Sequence, residues 1–536
     1  MNNLEIRTNV NTYINLRDIH NNIRNEQIFI FSKSGWGKSL ALESLIEEYK
    51  RAGYTILILA DVKGEWELGF AMFEPRKPYH IYHLRKIGKP IGKHEVKLYH
   101  PFSFRLNPNQ SLPEINFYGF SIKDLGREEW SMIAESAMES DTIRLLLNAS
   151  NSISKSDGLY SFLHFVEESV IKKDRRRMIA DPRNFYLKTA TATAKSLQDI
   201  SSYLIPFKED YFLVPDNSQL KLDWKNILND NFCYHVFGTE MIRDKKLKEF
   251  TVLALLNSII RNLRYAKKPL LIVIPEIRFL VPEKPEGYRK FLADGIKSHH
   301  GIMRNMGRGI SSLQDSQLFT DCDDDVKNSS TFTAFGELGG ANDIEKVAKA
   351  RNYKRDIRDM LTKMDYPNSY LIQGHEEQGS FTLWFPSHMH KEDEYNFYEM
   401  YKLHYSERMK NYKELFDKIK KEYEDEEDHF REKAKKLKKE EDELEEAKRK
   451  EREEKSSGKV DELKEELSKI KQMSKQEKME SLYQMKIDNP DLSWRELGRR
   501  GGVDTKTAQD WFNKLQEIKN QELHKNDLVP LDSPEK

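Results

Sequence analysis

Little in this chain can be crosslinked, and nothing in it runs apolar for long. Two cysteines in 536 residues, Cys233 and Cys322, exclude a disulfide framework and a cysteine-rich metal site, which fits a reducing interior. No apolar run approaches the ~20 residues of a membrane span, and the polar opening Met1-Asn2-Asn3-Leu4-Glu5-Ile6-Arg7 lacks a signal-peptide core. These absences predict a soluble, cytoplasmic protein. An excess of charge of one sign is missing as well: 88 Lys and Arg balance 88 Asp and Glu. Bulk electrostatics therefore neither argue for nor exclude a nucleic-acid partner, and local clusters have to decide.

What is present is organised around residues 27–49. An apolar run, Ile28 to Phe31, reads as a buried strand, a loop follows, and Leu40, Leu42, Leu45 and Ile46 then recur at helical spacing. The loop Ser32-Lys33-Ser34-Gly35-Trp36-Gly37-Lys38-Ser39 is the G-x-x-x-x-G-K-[ST] phosphate loop, with Ser32 where the first glycine usually stands. Gly35 and Gly37 let backbone N–H groups curl around a β-phosphate, Lys38 sets an ammonium on the β/γ oxygens, and Ser39 offers a hydroxyl to Mg²⁺. The expected ATP-binding set is Ser34, Gly35, Trp36, Gly37, Lys38, Ser39 and Leu40. Asp61 joins it: the second buried strand, Tyr54 to Ala60, delivers Asp61, Lys63 and Glu65 at the carboxyl edge of a parallel sheet, where ligands bind.

Residues from about 95 to 215 read as a mostly helical insertion, from apolar-periodic segments near Trp130 to Leu147, Tyr160 to Ile171 and Leu187 to Leu204. Lys172 to Arg177 within it is a basic cluster, either a phosphate contact or a solvated helix end. Gln219 to Trp224 alternates like a short exposed strand. The sheet resumes at Asn231 to Gly238, a long helix follows, and Leu270-Leu271-Ile272-Val273-Ile274-Pro275-Glu276 is a fully apolar strand ending in an acid. In a P-loop ATPase that end reads Asp-Glu, the Asp holding Mg²⁺ through water and the Glu polarising the attacking water. Here Pro275 stands in the Asp position and Glu276 remains. A further strand ending in Gln314 would place an amide beside Glu276, and Arg304 and Arg308 on its approach could supply a guanidinium to phosphate across a subunit boundary. Two closing strands, Ser369 to Gln373 and Ser380 to Phe385, precede His388 and His390, which read as surface histidines.

This order of parts resembles the HerA/FtsK superfamily of P-loop ATPases. The resemblance rests on Gly35 to Ser39, on Asp61-Val62-Lys63-Gly64-Glu65, on Pro275-Glu276, and on Arg304, Gly307 and Gln314, and it spans roughly residues 25 to 390. It implies a hexameric ring that moves double-stranded DNA through a central channel using ATP and Mg²⁺, with arginine fingers acting in trans and a nuclease or other DNA-processing partner. Two features depart from it. Only about thirty residues precede the phosphate loop, too few for the small β-barrel such proteins usually begin with, and Pro275 puts weak or conditional hydrolysis in prospect, with Asp61 a candidate substitute ligand.

Beyond residue 393, Glu, Lys and Asp dominate and glycine and proline nearly vanish to about Lys455, predicting one long helix over 394–472 broken at Ser456-Ser457-Gly458. Met409, Phe416, Tyr423, Phe430, Leu437 and Leu444 recur every seven residues, with Tyr405, Tyr412 and Ile419 between them, so the first half reads as a coiled-coil seam and the second as a solvated helix. Residues 473–520 then read as a small all-α helix-turn-helix domain, with Ser493 and Asp504 as N-caps. Its outward Lys506, Gln509 and Asn513, with Thr505, suit base edges or phosphate, and Arg495, Arg499 and Arg500 would lie near the DNA backbone. A three-helix protein-docking module is the other reading. Residues 521–536 read as a disordered tail. The fold expected is thus α/β, a RecA-like P-loop NTPase core with a helical insertion, followed by a long charged helix and a helix-turn-helix.

Overall fold

A computed structural model of the chain describes residues 5–7, 13–15, 26–59, 78–86, 91–163, 203–204, 207, 212–305, 309–352, 355–362, 369–374, 381–384, 397–429 and 474–526, with isolated positions between 432 and 450. They fall into two units, Met1–Phe430 and Arg431–Lys536.

The first unit is built on a ten-stranded sheet. Its strands, in chain order, are β1 (Gln27–Phe31), β2 (Thr55–Ile58), β3 (Val96–Pro101), β4 (Ile115–Tyr118), β5 (Tyr234–Phe237), β6 (Leu270–Ile274), β7 (Ile310–Ser316), β8 (Phe332–Phe335), β9 (Ser369–Gly374) and β10 (Phe381–Trp384). In space they run β10-β9-β8-β1-β7-β6-β2-β5-β3-β4. Every neighbouring pair from β8 to β4 is parallel, and β9 and β10 join antiparallel at one side. A parallel sheet must be covered on both faces, which is why β1, β2 and β6 are buried at every residue. This is the P-loop α/β core that the phosphate-loop pattern predicted. A strand that is not sequential, β7, lies between the phosphate-loop strand β1 and the Glu276 strand β6.

Helix α1 (Lys38–Arg51) covers one face through Leu42, Leu45, Ile46 and Tyr49. The other face is covered by α2 (Arg127–Ala134), α3 (Asp141–Ser152), α4 (Lys245–Asn262) and α5 (Tyr288–Asn305). Asp244 caps α4 by accepting from the Leu247 N–H, and Phe250, Leu253, Leu256 and Ile259 are fully buried, as their spacing predicted.

Three expectations are corrected. The insertion does not begin near residue 95: β3 and β4 extend the main sheet there, because Leu98, Tyr99, Ile115 and Tyr118 bury on its faces. The first α-helix after β4 starts at Arg127, and residues 164–202, with the cluster Lys172 to Arg177, lie outside the described residues. Gln219 to Trp224 is not an exposed strand: Leu220 and Trp224 are buried, and Asp223 caps a short helix, Trp224–Ile227. The 3.5-residue repeat beyond 393 is not a coiled-coil seam in its first half. Helix α6 (Phe397–His404) stops at Tyr405, Met409–Lys410 pairs antiparallel with Leu112–Pro113, and helix α7 spans residues 413–429. Tyr405, Tyr412, Phe416 and Ile419 enter the same core as α1. Phe416 packs 4.7 Å from Phe102 and 5.8 Å from Phe117, and the Tyr412 hydroxyl accepts from the Ile115 N–H at 2.6 Å. The apolar repeat was satisfied inside the chain, so the first unit runs on to Phe430.

The second unit's described helices are α8 (Lys475–Asp488), α9 (Trp494–Gly501) and α10 (Thr505–Asn526). Leu482, Leu497 and Ala508 form its core, joined by Met485, Leu492, Trp494, Val503 and Trp511. Ser474 and Glu477 make a reciprocal capping box, and the Ser493 hydroxyl accepts from the Glu496 N–H. Gly501 is required where α9 meets α8, since a Cβ there would stand 2.5 Å from the Leu482 side chain. Helix α10 continues through Asn526, past residue 520 where the tail was expected to start.

Candidate nucleotide site

The parallel register brings three strand ends to one edge. Ile274 of β6 is level with Gln314 of β7, and Ser316 of β7 is level with Phe31 of β1. From that edge β1 enters the loop 32–37, in which Gly35 and Gly37 take φ values of 82° and 91° that L side chains rarely adopt. Gly37 ends the loop as the N-cap of α1, with no side-chain cap and no acidic residue in the first turn. The opening N–H groups of α1 and its positive end are therefore not answered by a carboxylate of that turn, the condition for receiving a phosphate.

Lys38 is buried at this edge, its Nζ 3.7 Å from Asp315 Oδ2 and 4.0 Å from Glu276 Oε1. Glu276 is held in turn. Its backbone takes the left-handed conformation, φ 49°, its N–H donates to Asp315 Oδ1 at 2.8 Å, and Arg278 Nε and Gln317 Nε2 donate to its carboxylate at 3.1 and 3.2 Å. Arg278 also donates to Asp321 at 2.9 Å, which ties the Glu276 turn to the segment after β7. A cation poised between two buried carboxylates is an arrangement that a polyphosphate can open, because its oxygens compete for the ammonium.

The remaining predicted residues divide. Ser34, Gly35 and Ser39 are exposed on the loop and the first helical turn, where a nucleotide and its Mg²⁺ would meet them. Trp36 is buried instead: its ring lies against Gly336, where a Cβ would stand 2.4 Å away, and Lys33 sits 5.9 Å above it. Lys33 pairs with Glu337 through its side chain, and its N–H donates to the Glu337 carbonyl, so the segment after β8 braces the loop. Leu40 lies within α1, and only its backbone position is described.

Gln314 does not sit beside Glu276. It projects to the other face of β7, where its amide is 2.9 Å from His300 Nε2 and 3.3 Å from Ser312 Oγ. Burial holds the His300 imidazole down at about 4, so the ring facing this amide is neutral. Strand alternation explains the difference: adjacent residues point to opposite faces, and the residue turned toward Lys38 is Asp315. The glutamine that does reach Glu276 is Gln317. Neither Asp315 nor Gln317 was singled out from sequence, although the polar run Gln314-Asp315-Ser316-Gln317 at a strand end marked the place. Arg304 lies on α5 with its side chain outside the described residues, as are Arg308, Asp61, Lys63, Glu65, His388 and His390 altogether.

A groove of about 720 Å³ opens elsewhere in the unit, lined by Lys97, Tyr99, Asp230, His235 and Leu415 among others, and none of the phosphate-loop residues borders it. Its charged groups answer one another, Lys97 donating to Asp230 at 2.7 Å and the Tyr99 hydroxyl meeting His235 Nδ1 at 3.1 Å.

In the second unit Arg495, Arg499, Thr505, Lys506, Gln509 and Asn513 are exposed and Arg500 is half-buried. Arg499 and Arg500 both donate to Glu496, which draws their guanidinium groups along α9.

No protein-family model matches the chain, and no curated protein does. Among solved structures it is similar to VirB4 of Thermoanaerobacter pseudethanolicus, at 14% identity over 67% of this chain and 88% of that one, with a TM-score of 0.39. It is also similar to the bacterial conjugative coupling protein TrwB, at 10% identity over 72% and 89%, with a TM-score of 0.43. The genome packaging NTPase B204 from Sulfolobus turreted icosahedral virus 2 matches at 8% identity over 67% and 96%, with a TM-score of 0.30. Likenesses this distant say nothing about chemistry, which rests on the residues above. Among the described residues no helix is long and apolar enough to cross a membrane.

Proposed function

We propose that this chain is an ATP-dependent motor on double-stranded DNA, a cytoplasmic, ring-shaped homo-oligomer whose terminal three helices engage the duplex. The observation that carries the nucleotide part is Lys38 held between Asp315 and Glu276 at the mouth of the phosphate loop. The residues fit Mg²⁺-ATP: the loop N–H groups would cradle the phosphates, Lys38 would move onto the β/γ oxygens, and Ser39 would hold the metal. Bound there, Mg²⁺ supplies charge neutralisation to the phosphoryl oxygens. Glu276 would accept the proton of the attacking water, with Arg278 and Gln317, which donate to its carboxylate, keeping it from turning away. Arg304 and Arg308 are proposed as guanidinium donors to a neighbouring subunit's nucleotide, and a nuclease or other DNA-processing protein as a partner. The DNA part is supported by the resemblance to HerA/FtsK proteins and by the capped three-helix unit with its exposed Arg495, Lys506, Gln509 and Asn513.

The decisive experiment measures ATP turnover with and without duplex DNA for the wild type, Lys38→Ala and Glu276→Gln, alongside particle mass. DNA-stimulated turnover, lost in both variants while Glu276→Gln still binds nucleotide, is the expected result. Nucleotide binding without DNA-stimulated turnover in the wild type would remove the motor. A second reading would then stand, favoured by Pro275: a nucleotide-switched DNA-tethering protein in which ATP controls assembly alone.

A further inference from the structure

The strand end at Pro275 lacks the carboxylate that holds a metal's water in this kind of site. The register shows where one is found. Because β6 and β7 are parallel with Ile274, the last residue of β6, level with Gln314, Asp315 stands one residue beyond that level, beside the turn that Pro275 opens. Asp315 is one strand nearer the phosphate loop, a shift of about 4.8 Å, since β7 lies between β6 and β1. Asp315 is 3% exposed, and its carboxylate faces the Lys38 ammonium at 3.7 Å and is oriented by the Glu276 N–H on its other oxygen at 2.8 Å.

We infer that Asp315 carries the metal-water role that Pro275 cannot, so that this nucleotide site binds Mg²⁺ through Ser39 on the first turn of α1 and Asp315 at the end of β7. The inference rests on the nucleotide-site reading above. Mg²⁺ keeps most of its waters and needs only one or two protein oxygens, so an outer-sphere carboxylate on the neighbouring strand suffices where a direct ligand would not reach. When the ammonium moves onto phosphate, Glu276 keeps its Arg278 partner, and a cation beside the triphosphate would offset the charge that Asp315 brings to the same edge. The two acids then have different tasks, Asp315 toward the metal and Glu276 toward water.

The test is the affinity of a fluorescent ATP analogue for the full chain, titrated with Mg²⁺ and again in EDTA, with Mn²⁺ electron paramagnetic resonance as a second readout. The variants are Asp315→Asn, Glu276→Gln and Asp315→Asn combined with Pro275→Asp. Asparagine keeps an oxygen for the Glu276 N–H, so the hold on the Glu276 turn survives that change, and affinity in EDTA reads out any effect of losing the Lys38 ion pair. The expected result is that Asp315→Asn loses roughly tenfold or more of the metal-dependent gain in affinity. Affinity in EDTA should hold or rise, and Glu276→Gln should keep the metal dependence. Restoration by Pro275→Asp at the neighbouring strand end completes the case. A metal dependence in Asp315→Asn equal to that of the wild type overturns the inference while leaving the nucleotide site standing. Absence of any analogue binding by the wild type overturns the nucleotide site itself, and the inference with it.

Discussion

The two units of this chain solve the same problem, holding charged residues where they can work, in opposite ways. At the phosphate edge the working groups are inside: Lys38, Glu276 and Asp315 are each 9% exposed or less, and they are held by one another, by Arg278 and by Gln317. In the terminal unit the candidate DNA-facing groups are outside, and the core beneath them is Leu482, Leu497 and Ala508 with a half-buried rim. A site that must tell a triphosphate from water gains from buried charge, since pairing there is strong and misplacement is costly. A surface that grips a polyanion gains from solvated cations, which exchange counterions for phosphates. The contrast predicts large, pH-sensitive responses to substitution in the first unit and small, salt-sensitive ones at the surface of the second.

The largest effect should come from Phe416→Ala. Its ring fills the space between Phe102 and Phe117, so its removal should cost the first unit about 3–5 kcal/mol in denaturant unfolding. A loss near zero would return the helix over 413–429 to the role of a coiled-coil seam awaiting a partner helix. Leu497→Ala comes next. Removing the centre of so small a core should cost about 2–5 kcal/mol and abolish hydrogen-exchange protection over residues 474–526, while nucleotide affinity stays at the wild-type value. A parallel drop in nucleotide affinity would mean that the two units do not act independently.

Glu26→Gln tests buried charge directly. Burial pushes the Glu26 carboxyl up to about 7, against the opposing hydrogen bond from Tyr49. A folded pKa above the unfolded one means that the stability is fully present below about 4.5 and is lost as pH rises through about 7. The wild type should therefore lose stability relative to Glu26→Gln across that window, by up to about 3 kcal/mol, and parallel pH profiles of the two proteins would contradict it. Smallest of all, Arg499→Ala should leave the melting temperature unchanged, since its partner Glu496 is a surface residue on the same helix. If the terminal unit grips phosphate, the slope of log affinity for duplex DNA against log salt should fall by about one, and an unchanged slope would favour a protein-docking role.

What could be read from the sequence was whatever is local. Gly35 to Ser39 declared the phosphate loop because strand, loop and helix are contiguous, and Leu270 to Ile274 declared the Glu276 strand because a parallel strand buried on both faces is apolar throughout. Ser493 and Asp504 announced their helices by the same kind of nearness. Asp315 was missed by a single residue: Gln314 and Asp315 are neighbours in sequence but face opposite sides of β7, and only the register against β1 and β6 says which faces Lys38. Arg278 and Gln317 were missed because they meet Glu276 across a turn that periodicity does not describe. The repeat of Tyr405, Tyr412 and Ile419 was read correctly as a buried stripe and wrongly as a seam, since spacing reports that a face is covered and not what covers it. β3 and β4 were hidden by the Pro and Gly residues between 75 and 113, which mark turns without saying that short strands lie between them.

The pairing of Met409–Lys410 with Leu112–Pro113, and the Tyr412 hydroxyl on Ile115, join positions 296 to 298 apart in the chain. During synthesis, therefore, the β4 side of the sheet waits for nearly three hundred further residues before its aromatic cover arrives, and until then Phe102 and Phe117 face water beside an open strand edge. A nascent or truncated chain ending near residue 393 would carry an intact phosphate loop and an adhesive flank. The helix over 413–429 is thus the last part of the sheet's cover to be made, and fragments meant to report on the nucleotide site should extend to residue 430.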